Sequence, residues 1–264
     1  MDFAAHQRTL ARPTESVSGI GLHTGVPVTL RLLPAPVSTG IVFRRTDLEN
    51  FRIEASGRNV ARVSYATSLM KKGVFISTTE HLLSALTGAG VDNVVVELDS
   101  LEVPILDGSA QPFARLIAQA GTRKQRARRS YAKVLKPLEI AEGAKRIAVY
   151  PAETFRVTYR IAFSSPLIGE QEFEFSAARH SYESEIAPAR TFGFLDEVEA
   201  LRKSGLVRGG SLENAVVLGR DRILNPEGLR FPDEFVRHKI LDLIGDLALL
   251  GHPLVGHVVV ERGG

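Results

Sequence analysis

The feature that most constrains this chain is that its two halves close alike. Glu80–Ser100 reads EHLLSALTGAGVDNVVVELDS, and Arg237–Gly264 reads RHKILDLIGDLALLGHPLVGHVVVERGG. Each pattern predicts a helix with a histidine near its start, then a glycine turn, then a buried strand containing VVVE. Each half also opens with short strand-like runs: Val17–Leu22, Val28–Leu33 and Ile41–Arg44, then Lys133–Ile140, Arg146–Tyr150, Phe155–Phe163 and Gln171–Phe175. A duplicated α+β unit follows, hence an α+β fold of two similar α/β domains. A length of 264 residues suits residues 1–124 and 131–264 as the domains. In the first half a helix near Pro112–Ala120 follows the VVVE strand. No counterpart follows the second one, so symmetry alone leads us to expect a C-terminus that is cut short.

The run Arg123–Arg129, RKQRARR, has five basic residues in seven and lies between the halves. A nucleic-acid arm is one reading of it. No aromatic residue is interleaved for base stacking, so a solvated linker over 125–130 is expected instead, with no nucleic-acid partner. Apolar residues make up 44% and charged residues 24%, which excludes disorder, collagen and coiled coil as overall descriptions. The start, MDFAAHQRTLARPTE, lacks the apolar core of a signal peptide. The longest apolar stretch, Leu247–Val260, is broken by Gly251, His252, Pro253 and His257, too interrupted to span a bilayer. A cytoplasmic protein without stable membrane insertion is expected. The net charge of +3 permits an anionic substrate.

Cysteine is absent, so any metal must be held by nitrogen and oxygen ligands. In FVRHKILDLIGDLALL (Phe235–Leu250), His238, Asp242 and Asp246 are spaced four apart and share one helix face. That stripe reads either as a solvated face with an i,i+4 pair or as a metal pair. Ser77-Thr78-Thr79-Glu80 fits a capping box, and His81 follows. A protease-type HExxH is excluded, because Ala85 stands where the second histidine would be. His81 alone makes no site; with His238 and Asp242 it supplies two nitrogens and one carboxylate oxygen. Three protein ligands leave a fourth position open, the pattern of a catalytic zinc site. Glu80 then stands beside a ligand as a candidate general base for hydrolysing a carbonyl or amide. Thr191, before the Gly193 turn, is either a self-satisfied turn residue or an oxyanion donor. Gly19–Gly25 has threonine where a GxGxxG fingerprint needs its third glycine, and no P-loop or GxSxG elbow occurs.

Several segments together resemble the UDP-3-O-acyl-N-acetylglucosamine deacetylases, zinc enzymes that commit the precursor to lipid A in Gram-negative bacteria. They are GIGLHTG (19–25), GIVFRRTDL (40–48), STTEHLLSALTGAGVDN (77–93), EVPILDGSAQPF (102–113), ARTFGF (189–194), LRKSGLVRGGSLENAVV (201–217) and LNPEGLRFPDEFVRHKILDLIGDL (224–247). The resemblance covers nearly the whole chain. It implies two domains, each a sheet with a helix layer, packed as a β-α-α-β sandwich with the metal at their junction. It implies Zn²⁺ on His81, His238 and Asp242, Glu80 as base, and Thr191 as oxyanion stabiliser. It also implies Lys239 against the substrate and Asp246 orienting a catalytic histidine. An insert around 192–217 then forms the passage for the acyl chain of a UDP-sugar substrate. Gly210, Ala215 and Val217 leave room in it, Phe194, Val198 and Val207 form its walls, and Phe192 is a further substrate-binding residue. A monomer is expected. The resemblance also places a general-acid histidine directly after ERGG, so a catalytically impaired zinc- or sugar-nucleotide-binding form is the alternative reading for this chain.

Overall fold

The computed structural model describes residues 5–62 and 65–263. The first four residues of the supposed leader-free start, and Gly264 at the other end, lie outside them. In chain order the first half contains β1 (His6–Leu10), β2 (Val17–Ile20), β3 (Pro27–Pro34), β4 (Ile41–Arg45), β5 (Phe51–Glu54), β6 (Val60–Arg62), β7 (Ser68–Lys71), β8 (Val74–Ile76), α1 (Glu80–Gly88), β9 (Val94–Leu98) and α2 (Gln111–Ala120). The second contains β10 (Thr122–Arg128), β11 (Ala132–Lys133), β12 (Leu138–Glu142), β13 (Lys145–Tyr150), β14 (Arg156–Ala162), β15 (Glu170–Ser176), α3 (Tyr182–Glu185), β16 (Phe192–Phe194), α4 (Leu195–Lys203), β17 (Val216–Leu218), α5 (Glu234–Leu247), β18 (Leu254–Val255) and β19 (His257–Glu261).

The duplication expected from the two VVVE segments is present in the topology. One five-stranded sheet has the order β2-β3-β9-β4-β5, the other β12-β13-β19-β14-β15. In both, the VVVE strand is central, antiparallel to one neighbour and parallel to the other: β9 to β3 and β4, β19 to β13 and β14. A helix feeds each central strand, α1 before β9 and α5 before β19. Leu82, Leu83 and Leu86 of α1 and Phe235, Ile240, Leu241 and Ile244 of α5 are fully or almost fully buried. They join one apolar core with Leu30, Leu32, Phe43 and Val96 of the first sheet and Val157, Phe175 and Val258 of the second. Burying both apolar faces against one helix layer is the driving term of this arrangement.

α1 and α5 approach closely because of Gly245. A Cβ there would stand 2.0 Å from the Glu80 carbonyl oxygen. The contact brings the first turn of α1 against the last turn and a half of α5, and so sets His81 beside the His238/Asp242 face.

The basic run differs from the linker expected. Thr122–Arg128 is strand β10, antiparallel to β1 with Arg8 opposite Lys124 and Thr9 opposite Arg123. Backbone pairing with the N-terminal strand overrides the charge pattern that suggested a solvated coil. The strand expected over Lys133–Ile140 is split into β11 and β12, since Pro137 cannot donate to a ladder. Among the described residues, no helix is long and apolar enough to cross a membrane.

Candidate active site

The loop entering α1 is strained. Thr78, a β-branched residue, has φ +58°, a conformation that costs on the order of 1–3 kcal/mol. Its hydroxyl donates to Glu102 Oε1 at 2.8 Å. Glu102 is fully buried and also accepts from the backbone N–H groups of His23 and Thr24, each at 2.9 Å, and from the Thr24 hydroxyl at 2.7 Å. One carboxylate thus ties the GIGLHTG turn to the entry of α1. The capping box does not form. Thr79, the residue before the helix, has helical angles and makes no side-chain cap. Glu80 is the first helical residue, and its Oε2 accepts from Thr67 N–H at 3.1 Å.

His81 and His238 face each other edge-on, with ring centroids 4.9 Å apart. Both are buried, which removes the reading of His238 as part of a solvated stripe. Their Nε2 atoms lie 3.5 and 3.3 Å from Asp242 Oδ1. The donor atoms of the three residues all fall within 4.8 Å of one another. His238 Nδ1 donates to the Ala189 carbonyl at 3.0 Å, which leaves Nε2 as the lone-pair nitrogen facing the site. Asp242 Oδ1 is buried and accepts no hydrogen bond. Such an orphaned acceptor is costly, and two imidazole nitrogens and a carboxylate oxygen at this spacing are a donor set for a divalent ion.

The electrostatics separate the acids. Burial pushes Glu80 up to about 7, opposed by His81 and reinforced by Asp242 and Asp246. Burial likewise raises Asp246 to about 6, although the Thr67 hydroxyl, 2.6 Å from its Oδ1, pulls the other way. Burial acts to raise Asp242 too, but His238, His81 and Lys239 outweigh it and hold that carboxyl well below the usual range. Burial lowers His238 to about 4. It works against protonation of His81 as well, where facing Asp242 and Glu80 prevail and raise the pKa.

These groups line a cavity of about 400 Å³ with Thr78, Thr191 and Lys239 on its polar side and Leu22, Ile105, Phe163 and Phe192 on its apolar side. Thr191 is fixed through its backbone. Its N–H donates to Gly108 O at 2.8 Å, and its carbonyl accepts from Val216 N–H at 2.8 Å. Lys239 Nζ sits 3.6 Å from Asp242 Oδ2 and 5.9 Å from the Phe192 ring centre. Behind them Arg190 and Glu234, both buried, join through the Arg190 N–H and Nε, each 2.9 Å from Glu234 Oε1. This pair anchors the segment that carries both the Ala189 carbonyl and Thr191.

Of the insert, Phe192 lines the cavity, and Phe194 adjoins it across Phe163, 6.1 Å between centroids. Val198, Gly210, Ala215 and Val217 are not among its lining residues. Val198 packs against Gly193, and a Cβ on Gly210 would run into Val207 at 2.6 Å. Asp246, expected to orient a histidine that follows ERGG, has no such partner within the described residues. It takes the Thr67 hydroxyl and lines a neighbouring cavity of about 270 Å³ with Tyr159, Lys239 and Gly263. Residue patterns missed Thr67, Glu102 and Gly245. A lone glycine inside a helical pattern was the signal for the last of these; Thr67 and Glu102 carry no local signature.

Comparison with known proteins gives the family. The family model described as UDP-3-O-acyl N-acetylglycosamine deacetylase matches residues 7–264. A UDP-3-O-acyl-N-acetylglucosamine deacetylase of Solibacter usitatus is 56% identical over 258 residues, 98% of this chain and 87% of the relative. Those of Myxococcus xanthus and Syntrophotalea carbinolica are 50% and 48% identical over 260 residues, covering 98% of this chain and 82% and 84% of the relatives. This chain belongs to the UDP-3-O-acyl-N-acetylglucosamine deacetylase family of enzymes.

Proposed function

We propose that the chain is a zinc-dependent amidohydrolase that removes the N-acetyl group of UDP-3-O-acyl-N-acetylglucosamine, giving acetate and the 2-amine, the committed step of lipid A biosynthesis. It acts as a cytoplasmic monomer built of domains 1–124 and 131–264. The observation that carries this reading is the cluster of His81, His238 and Asp242, whose orphaned, buried Oδ1 fits a bound cation. A zinc ion held there supplies Lewis acidity toward the amide carbonyl and the attacking water.

The chain's own residues do the rest. Glu80, poised near neutrality, takes a proton from the water. The Thr191 hydroxyl donates to the oxyanion that develops on the carbonyl. Lys239 holds the substrate beside Asp242, and Leu22, Phe163, Phe192 and Phe194 offer an apolar exit for the acyl chain. The passage expected around Gly210, Ala215 and Val217 would continue from that exit. Glu80, once protonated, can return its proton to the leaving nitrogen.

The experiment is acetate release from UDP-3-O-acyl-N-acetylglucosamine by the zinc-loaded chain, with the Thr191→Val variant alongside. Turnover by the unaltered chain and a loss of roughly 10²–10³-fold in the variant are expected. A competing reading assigns the last proton transfer to a histidine beyond Gly264, since Asp246 lines its cavity next to Gly263 with no histidine bonded to it. Turnover that appears only after the C-terminus is extended with the corresponding Solibacter usitatus segment would favour that reading.

A further inference from the structure

The basic run is not used by the site. From Gly108 to Leu138 the chain has eight Lys and Arg residues and no Asp or Glu, although the remainder carries more acids than bases. Much of this charge lies on β10. Lys124, Arg126 and Arg128 alternate along the strand and so point to one face. All three are exposed, while Gln125 and Ala127 between them are half-buried. Their side chains make no ion pair or hydrogen bond among the described residues. In the pairing with β1, Arg8 stands opposite Lys124, and two cations directly across a ladder are unfavourable. No acid lies on either strand, and the neighbouring Asp92 carboxylate is already engaged by the Arg8 N–H at 2.7 Å and by Arg129 Nε at 2.6 Å.

The opposite face of the ribbon is fastened down. Asn93 Nδ2 donates to Gln7 Oε1 at 2.9 Å and Gln125 Oε1 at 2.8 Å. Gln125 Nε2 donates to Ala35 O at 2.9 Å, and the buried Thr9 hydroxyl to Asn93 O at 2.6 Å. The ribbon therefore lies against the body and does not project. Beside it Gln7 Oε1 also accepts from Ser38 N–H at 2.8 Å, which places the exposed Val37 at the ribbon's edge.

We propose that this face of β1 and β10 docks the protein onto an anionic lipid bilayer. Lipid headgroups supply the counter-charge that Lys124, Arg126 and Arg128 lack. A flush ribbon cannot enter a nucleic-acid groove as a projecting one does, and the strand presents no aromatic side chain on which bases would stack. The proposal rests on charge and geometry alone, independently of the reaction.

The test is co-sedimentation of the full chain with phosphatidylcholine vesicles containing about 30% phosphatidylglycerol, at low salt and at about 0.15 M. Binding to the mixed vesicles, weakened by salt and absent with pure phosphatidylcholine, is expected. The triple variant Lys124→Gln/Arg126→Gln/Arg128→Gln should bind about 100-fold more weakly, at about 1 kcal/mol per cation. A charge-matched control, Arg52→Gln/Arg58→Gln/Lys72→Gln, removes three exposed cations elsewhere and should bind as the unaltered chain does. Circular dichroism checks that both variants fold. No binding to the mixed vesicles, or equal losses in both triple variants, overturns the proposal. So does ribbon-dependent binding to a labelled single- or double-stranded oligonucleotide without binding to vesicles.

Discussion

Glu80 shows what single residues contribute. Its carboxyl is buried and lifted to about 7, so in the metal-free chain its ionisation opposes folding. The folded state holds that proton more tightly than the unfolded chain, whose pKa is near 4.5. The resulting stability is present below about 4.5 and is lost as pH rises to about 7, on the order of 3 kcal/mol in all. Glu80→Gln removes this loss. With metal stripped, the variant should melt several degrees above the unaltered chain at pH 8 and level with it at pH 4, by calorimetry. A lower melting point at pH 8 would contradict the burial argument. With zinc loaded, the same variant should turn over about 10²–10⁴-fold more slowly while keeping its metal. The rate of the unaltered enzyme should rise with pH along an acid limb at or below about 7. Among residues, His81, His238 and Asp242 were legible from spacing and from the absence of cysteine. Thr67 and Glu102 were not, because each acts through long-range hydrogen bonds that leave no pattern in the chain.

At the scale of elements, the crossing of α1 and α5 decides the site. Alanine for glycine inside a helix ordinarily stabilises by roughly 0.8–1 kcal/mol. At Gly245 the sign reverses, because the new methyl would meet the Glu80 carbonyl at 2.0 Å. Gly245→Ala should cost about 1–3 kcal/mol and, by moving His81 away from Asp242, weaken zinc binding about 10-fold or more; calorimetric zinc titration measures it. The Arg190–Glu234 pair is a second such device. Glu234→Ala leaves Arg190 with Glu227 and the Gly228 carbonyl as partners and should destabilise by about 1.5–3 kcal/mol in denaturant unfolding, the loss of hydrogen bonds to a charged group. All helices but the four-residue α3 were readable because their apolar period is strong and a glycine follows closely. β10 was misread, since a strand that pairs with residues more than a hundred positions away is fixed by that partner and not by its own composition.

For the whole molecule, the repeated sheet order was foreshadowed by the paired VVVE segments. What the pattern did not reveal is the small β6-β7-β8 sheet, whose β7 directly follows Thr67, or the β16–β17 pair that carries Phe192. Neither has a counterpart in the other half to betray it. His81 comes from the first repeat, and His238 and Asp242 come from the second, so a bound ion joins the two. Zinc in excess should therefore raise the melting temperature of the whole chain, and chelation should lower it, as mass action requires of a ligand that binds only the folded state. The most direct test of the central claim is the metal content of the zinc-reconstituted, exhaustively dialysed chain beside its His238→Ala/Asp242→Ala variant. The account predicts about one zinc per unaltered chain and almost none in the variant, with circular dichroism unchanged. A folded double variant that still retains about one zinc per chain would contradict it.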